Sequence, residues 1–203
     1  MAVTTYMDLE KTLQAGDRIR IDLGCGRKKR PGHIGIDQLD LPGVDIVGPL
    51  HEVLATFPDD SVDEVYSKSV FEHVVELEEV MRELMRVMKR GSKAWVYVPH
   101  WSSPYYYQDY THVRFFGLYS FYQFADELHQ HPCRSVPGFY QDIRIRVLKI
   151  RMERKSNFRL LRPFRKLMTH LINLSPLTQA LYEENGTSLF PCYGMEVMFT
   201  PDK

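Results

Sequence analysis

Along the chain, short apolar runs that end near Gly, Asp, Ser or Pro alternate with loops or with segments of helical period. This is the pattern of a parallel sheet covered by helices. The runs predict strands over Arg18–Leu23, His33–Asp37, Val44–Gly48, Val62–Ser67, Lys93–Pro99 and Ile143–Met152, with a closing strand over Tyr193–Thr200. From Glu76 onward Leu77, Val80, Met81, Leu84, Met85 and Met88 recur three and four apart, the spacing of one buried helix face. Gly91 stands where a left-handed residue would end that helix. Further helices are predicted over Ser120–His129, Leu160–Asn173 and Pro176–Glu184. The expectation is one α/β domain over residues 1–203, with a seven-stranded, mostly parallel sheet, an antiparallel last strand and a helical insertion over 159–190.

Composition narrows this picture. A chain of 203 residues, 44% hydrophobic, can bury one core and is short for two. No apolar run approaches the roughly 18 residues that a membrane span requires. Three cysteines, Cys25, Cys133 and Cys192, lie far apart without metal-like spacing, and no signal peptide is read, so reduced thiols and a cytoplasmic location are expected. Lys plus Arg and Asp plus Glu both number 26, but basic residues gather late: ten lie between Arg144 and Lys166 against one acidic residue, Glu153. Leu167, Met168, Leu171 and Ile172 follow at helical spacing, making a basic amphipathic segment. It reads as the solvent face of an edge strand and an inserted helix, in a monomer or at a homodimer interface. The alternatives are peripheral contact with a membrane surface or binding of an anionic acceptor; nucleic acid is disfavoured by the neutral overall charge.

Open parallel sheets bind ligands beyond the carboxyl ends of their strands, at the point where strand order reverses. After the first predicted strand stands Ile21-Asp22-Leu23-Gly24-Cys25-Gly26. Glycines there allow positive φ and let the backbone approach a ligand closely. Asp37 ends the second strand, where a carboxylate can accept from both hydroxyls of a ribose. A dinucleotide site would carry a third glycine at the position held by Lys29, so the residues favour a nucleoside without phosphates. Only ten residues separate Gly26 from Asp37, too few for a crossover helix plus a strand. The basic run Arg27 to Arg30 reads as a solvated turn, with an anion anchor as the alternative.

Past the fifth strand the chain turns aromatic: 13 of its 25 aromatic residues fall between Trp95 and Phe124. Most of these rings are expected to pack, while His100, Asp109, His112 and Arg114 interrupt them with polar groups over the expected site. A histidine near neutral pKa suits removal of a proton from an acceptor, and Asp109 could orient it. Glu72-His73 reads as a helix-start pair rather than a metal site, because two ligands make a poor cage.

Four ordered stretches carry a family resemblance: Ile21 to Gly26; Asp37; Asp63-Glu64-Val65-Tyr66-Ser67 leading into Val70-Phe71-Glu72-His73-Val74; and Leu84 to Gly91. They resemble the successive motifs of class I S-adenosylmethionine-dependent methyltransferases, and are most similar to a small bacterial-type group with a shortened connection after the first strand. The resemblance implies a Rossmann-like fold with S-adenosylmethionine as cofactor. It implies a cofactor loop of Asp22, Leu23, Gly24, Cys25 and Gly26, with Asp22 anchoring the loop or the cofactor's amino group and Gly24 and Gly26 under the methionine part. Asp37 would hold the ribose, Gln38 would lean on the adenine, and Gly48, Pro49 and Leu50 would flank it. Ser67 to Ser69 would border the sulfonium. The Asp-x-x-His-x-Arg pattern at 109–114 resembles the acceptor region of the same group, ranking His112 above His100 as the base, with Arg114, Tyr106 and His73 on the acceptor. The expected reaction is methyl transfer to an oxygen or nitrogen of a small-molecule or glycan-type acceptor. Two alternatives stand: a non-catalytic module that senses the cofactor, and a nicotinamide dehydrogenase, against which Lys29 argues.

Overall fold

A computed structural model describes residues 2–138, 140–154 and 158–203. Its strands are β1 (Thr4–Thr5), β2 (Arg20–Leu23), β3 (Ile34–Asp37), β4 (Ile46–Val47), β5 (Val62–Lys68), β6 (Met88–Pro99), β7 (Ile145–Glu153) and β8 (Gly194–Pro201). The helices are α1 (Leu9–Gln14), α2 (Leu50–Ala55), α3 (Leu77–Val87), α4 (Arg162–Ile172) and α5 (Pro176–Asn185). All eight strands form one sheet in the order β1-β4-β3-β2-β5-β6-β8-β7. β4, β3, β2, β5 and β6 run parallel, and β8 runs antiparallel between β6 and β7. The predicted α/β sheet with an antiparallel last strand is therefore present. It gains an eighth, edge strand where Thr4 and Thr5 pair with Val47 and Ile46, a two-residue element without periodicity to betray it.

One sheet face is packed in the usual way. Val65, Val96, Val98, Val197 and Phe199 project from it and meet Val80, Met81 and Leu84 of α3, with Phe71, Phe116 and Phe121 filling the end. Each of these side chains is removed from water, worth about 1.5 to 3 kcal/mol apiece. The α3 periodicity matches the burial of Leu77, Val80, Met81, Leu84 and Met85. Gly91 does not end that helix. Met88 is already extended, and Gly91, at φ 77°, lies four residues into β6, where the register with β5 shifts.

The opposite face lacks a crossover helix, because only turns join β2 to β3. A flap of residues 25–30 covers it instead. The Cys25 thiol and the Lys29 stem lie over Gly35, where a Cβ would come within 2.8 and 2.6 Å of them. The Lys29 ammonium pairs with Asp45 at 2.8 Å. Arg30 places its guanidinium 4.4 Å from the Tyr66 ring centre, and Tyr66 stacks on Trp95 at 4.5 Å with planes 2° apart. Met198 is the β8 partner of Trp95 in the register, so a row of large side chains crosses the strands. The basic run is thus partly committed to packing. A hollow of about 600 Å³ remains beside this row, toward the amino ends of β5 and β6 and away from the strand ends that bind ligands.

The predicted helix over Ser120–His129 is instead two 3-10 turns, Ser120–Phe124 and Glu127–His129. The Gln130 amide donates to the carbonyls of Tyr122, Ala125 and Asp126, taking acceptors that a continuous helix would use. Asp126 starts a fresh turn by accepting from the His129 amide. Between β7 and β8 lie the turn Arg159–Leu161, α4 and α5. No helix among the described residues is long and apolar enough to cross a membrane, and the three cysteines are free thiols.

Candidate active site

Strand order reverses between β2 and β5, so their carboxyl ends diverge from a common point. There the chain leaves β2 through Gly24 at φ 62° and Gly26 at φ 53°. The Gly24 amide donates to the Ile36 carbonyl at 2.8 Å, and the Gly26 amide to Asp37 Oδ2 at 2.8 Å. Asp37 Oδ1 accepts from the Leu39 amide at 2.9 Å. Asp37 therefore fixes the glycine loop, and each of its oxygens retains a lone pair. Asp22 is buried and accepts from the Arg30 amide at 2.7 Å, anchoring the flap; burial pushes its carboxyl above the usual range.

A cavity of about 300 Å³ opens at this point. Of the residues expected to hold a cofactor, Gly24, Asp37, Gln38, Pro49 and Leu50 line it. Leu23 and Ser67 do not reach it with their side chains: both are fully buried, and the Ser67 hydroxyl lies 3.4 Å from the Leu23 carbonyl. Cys25 turns toward Val44 and Val47. Of the expected stretch Ser67 to Ser69, Ser69 lines the cavity, because β5 runs on to Lys68 and the chain bends at Ser69 with φ 56°. His51, Val70, Glu76 and Val80 also line it, though the sequence marks none of them as a cofactor residue. His73 forms the side of the cavity nearest the aromatic segment.

Residues 109–115 lie over the loop that follows β5. The Val113 and Arg114 amides donate to the Glu72 carbonyl, and the Arg114 guanidinium to the carbonyls of Val74 and Val75. Arg114 thus staples the segment down instead of pointing a free fork at an acceptor. Tyr106 is buried, stacks on Phe115 and donates its hydroxyl to the Arg114 carbonyl. Beneath lies the cluster of Glu72, His73, Asp109 and His112. The His112 Nδ1 is 2.9 Å from the Tyr106 carbonyl, so the ring donates there and leaves Nε2 as its basic nitrogen, 3.7 Å from Asp109 Oδ2. Bonds from Thr111 hold Asp109 below the usual carboxylate range. The His73 ring packs edge-on against His112 at 4.8 Å, with its Nδ1 2.9 Å from the Thr111 hydroxyl.

Glu72 was passed over in the sequence as a helix-start residue. It is 1% exposed, one of its oxygens has no partner, and burial raises its pKa to about 7. Glu72, His73 and His112 offer ligand atoms within 4.8 Å of one another, the set among these residues best able to hold a cation; Asp126, His129 and Asp202 form a second such group elsewhere.

His100 is not part of this cluster. It is fully buried, with Nδ1 2.8 Å from the Ser102 hydroxyl and Nε2 2.9 Å from Glu183 of α5. Glu183 also accepts from the Trp101 indole at 3.0 Å and the Leu118 amide at 3.2 Å. Burial pushes the Glu183 carboxyl up, but His100 and these two donors outweigh it and hold the group below its ordinary value. With its ring nitrogens on Ser102 and Glu183, His100 ties the aromatic segment to α5.

Residues 31–96 match a family model described as a methyltransferase domain. No curated protein matches the chain significantly. Among solved structures, the chain is similar to an S-adenosylmethionine-dependent methyltransferase from Archaeoglobus fulgidus, at 19% identity and TM-score 0.56 over 95% of this chain and 90% of that one. It is similar also to one from Thermotoga maritima, at 13% identity and TM-score 0.52 over 95% of this chain and 86% of that one. A third likeness is to phosphoethanolamine N-methyltransferase 2 of Haemonchus contortus in complex with S-adenosylhomocysteine, at 12% identity and TM-score 0.50 over 96% of this chain but 52% of that one. The family match, over residues 31–96 and so beyond the glycine loop, agrees with the strand order and the cavity at the switch point, and the fold is similar to that of S-adenosylmethionine-dependent methyltransferases.

Proposed function

We propose that the cavity at the end of β2 and β5 takes S-adenosylmethionine and that the chain passes its methyl group to an oxygen or nitrogen of a small-molecule or glycan-type acceptor bound under residues 105–115. The observation that carries this reading is the joint placement of Gly24, Asp37, Gln38, Pro49 and Leu50 on one cavity, with His73 between it and His112. When bound, the cofactor supplies an electrophilic methyl carbon for in-line displacement, leaving S-adenosylhomocysteine.

The chain's own residues account for the rest. Asp37 offers its remaining lone pairs to the ribose hydroxyls, while Pro49 and Leu50 give an apolar edge for a base. Gly48-Pro49 replaces an acidic residue there, so recognition of the base falls to backbone groups and Gln38. His112 Nε2 receives the acceptor proton as the acceptor lone pair forms its bond to carbon, and Asp109 steadies the resulting imidazolium. Tyr106 and Arg114 hold the segment that carries His112 in place. Residues 159–190 belong to the same domain as an insertion. Calorimetry with S-adenosylmethionine and with a nicotinamide dinucleotide tests the cavity: tight binding of the dinucleotide alone would refute the assignment. Acceptor-dependent release of S-adenosylhomocysteine then separates an enzyme from a sensor that binds without turnover.

A further inference from the structure

From Arg154 to Tyr182 the chain contains no acidic residue. Within this stretch α4 has a strongly one-sided apolar arc, yet the only residue it buries is Ile172. Met168 and Ile172 form its inner edge, while Phe164, Leu167 and Leu171, three and four apart, stay exposed, and Leu160 in the preceding turn is 95% exposed. α5 behaves alike: it buries Gln179, Ala180 and Tyr182, and turns Leu177 and Leu181 outward. Soluble surfaces rarely leave large apolar side chains gathered this way, and such a patch marks a surface that meets something else.

We propose that the outer face of α4 and α5 seats this protein on an anionic lipid bilayer, with Leu160, Phe164, Leu167 and Leu171 entering the headgroup boundary and Arg159, Arg162 and Lys166 resting on lipid phosphates. The three cations are exposed and lie along the same turn and helix as the leucines. A helix of 11 residues is about 16 Å long, too short to span a bilayer and suited to lying in its surface. Charge selects the bilayer over a second copy of the chain. A two-fold interface would bring the acid-free turn and α4 against themselves and set cations opposite cations, whereas an anionic surface complements them; the exposed Glu184 near the end of α5 lies outside that stretch. Through Glu183, α5 is bonded to the aromatic segment, so docking would hold the acceptor side of the molecule at the lipid surface.

The test is flotation of the full chain with vesicles of phosphatidylcholine alone and of phosphatidylcholine mixed with phosphatidylglycerol. Binding to the mixed vesicles, weakened by salt and at least roughly ten-fold poorer on pure phosphatidylcholine, is expected. Leu167→Ser with Leu171→Ser should abolish flotation, and Arg162→Gln with Lys166→Gln should cost roughly five-fold in affinity for each cation removed. All four positions are exposed, and unchanged melting and S-adenosylmethionine binding would show that the variants fold. No flotation with either vesicle, equal flotation with both, or flotation unaffected by the serine variants would overturn the proposal. So would a dimer in light scattering that Leu167→Ser disperses while no vesicle is bound.

Discussion

At Gly24 the backbone takes φ 62°, and a Cβ built there would come within 2.2 Å of Val70 Cγ2. Both faults fall on the wall of the cofactor cavity. Gly24→Val should therefore abolish S-adenosylmethionine binding in calorimetry, and the left-handed strain alone should lower stability by about 1 to 2 kcal/mol. Asp37 serves the loop and, in the proposed complex, the ribose. Asp37→Ala should weaken cofactor binding by about 1.5 to 3 kcal/mol, the range for lost charged hydrogen bonds, and should loosen Gly26 as well. His112→Ala should lower turnover by roughly 100-fold or more while leaving cofactor affinity nearly unchanged, since His112 meets the cavity only through His73. Unchanged turnover would remove it from the reaction.

Among elements, the flap and the stacked pair explain how a parallel sheet can do without a crossover helix. Trp95→Ala would remove the stack with Tyr66, and a loss of about 1 to 2 kcal/mol is expected in denaturant unfolding, from area plus the aromatic pair. The tie between the aromatic segment and α5 is electrostatic in origin. Because Glu183 is held below its ordinary value of 4.5 in the folded chain, it contributes stability above pH 4.5 that is lost as pH falls toward the folded value. Glu183→Gln should lower the melting temperature at neutral pH and flatten its decline in acid. A parallel acid limb in both proteins would place the sensitivity in other carboxylates.

For the molecule as a whole, the strands and the carboxyl-end loops were readable because β2, β3, β5 and β6 are runs with sharp polar ends, and because α3 keeps its period under tertiary packing. Of the residues expected to hold a cofactor, those at strand ends, Gly24, Asp37, Pro49 and Leu50, fall on one cavity. Elsewhere long-range partners decided the outcome. His100 resembles a base in sequence, and the residue that claims it, Glu183, lies 83 positions away. Arg114 resembles an acceptor fork, and the carbonyls that occupy it, of Val74 and Val75, lie 40 and 39 positions upstream. Of Ser67 to Ser69, the last lines the cavity because β5 runs on through Lys68. Glu72 acquires its unusual environment only when residues 109–115 close over it.

The position of β8 has a consequence for the order of assembly. Ile21 meets Ile34 and Asp22 meets Gly35, pairings that close short stretches of chain, whereas Ala94 meets Phe199 and Glu153 meets Gly194 only after the intervening chain has been gathered in. Closing longer loops costs more entropy and slows the step that needs them. The cofactor half can form from near neighbours, while β7 has no place beside β6 until the last strand enters between them. During synthesis the β6–β8–β7 half therefore waits for residues 194–201 to emerge, and the edge of β6 stays open until then.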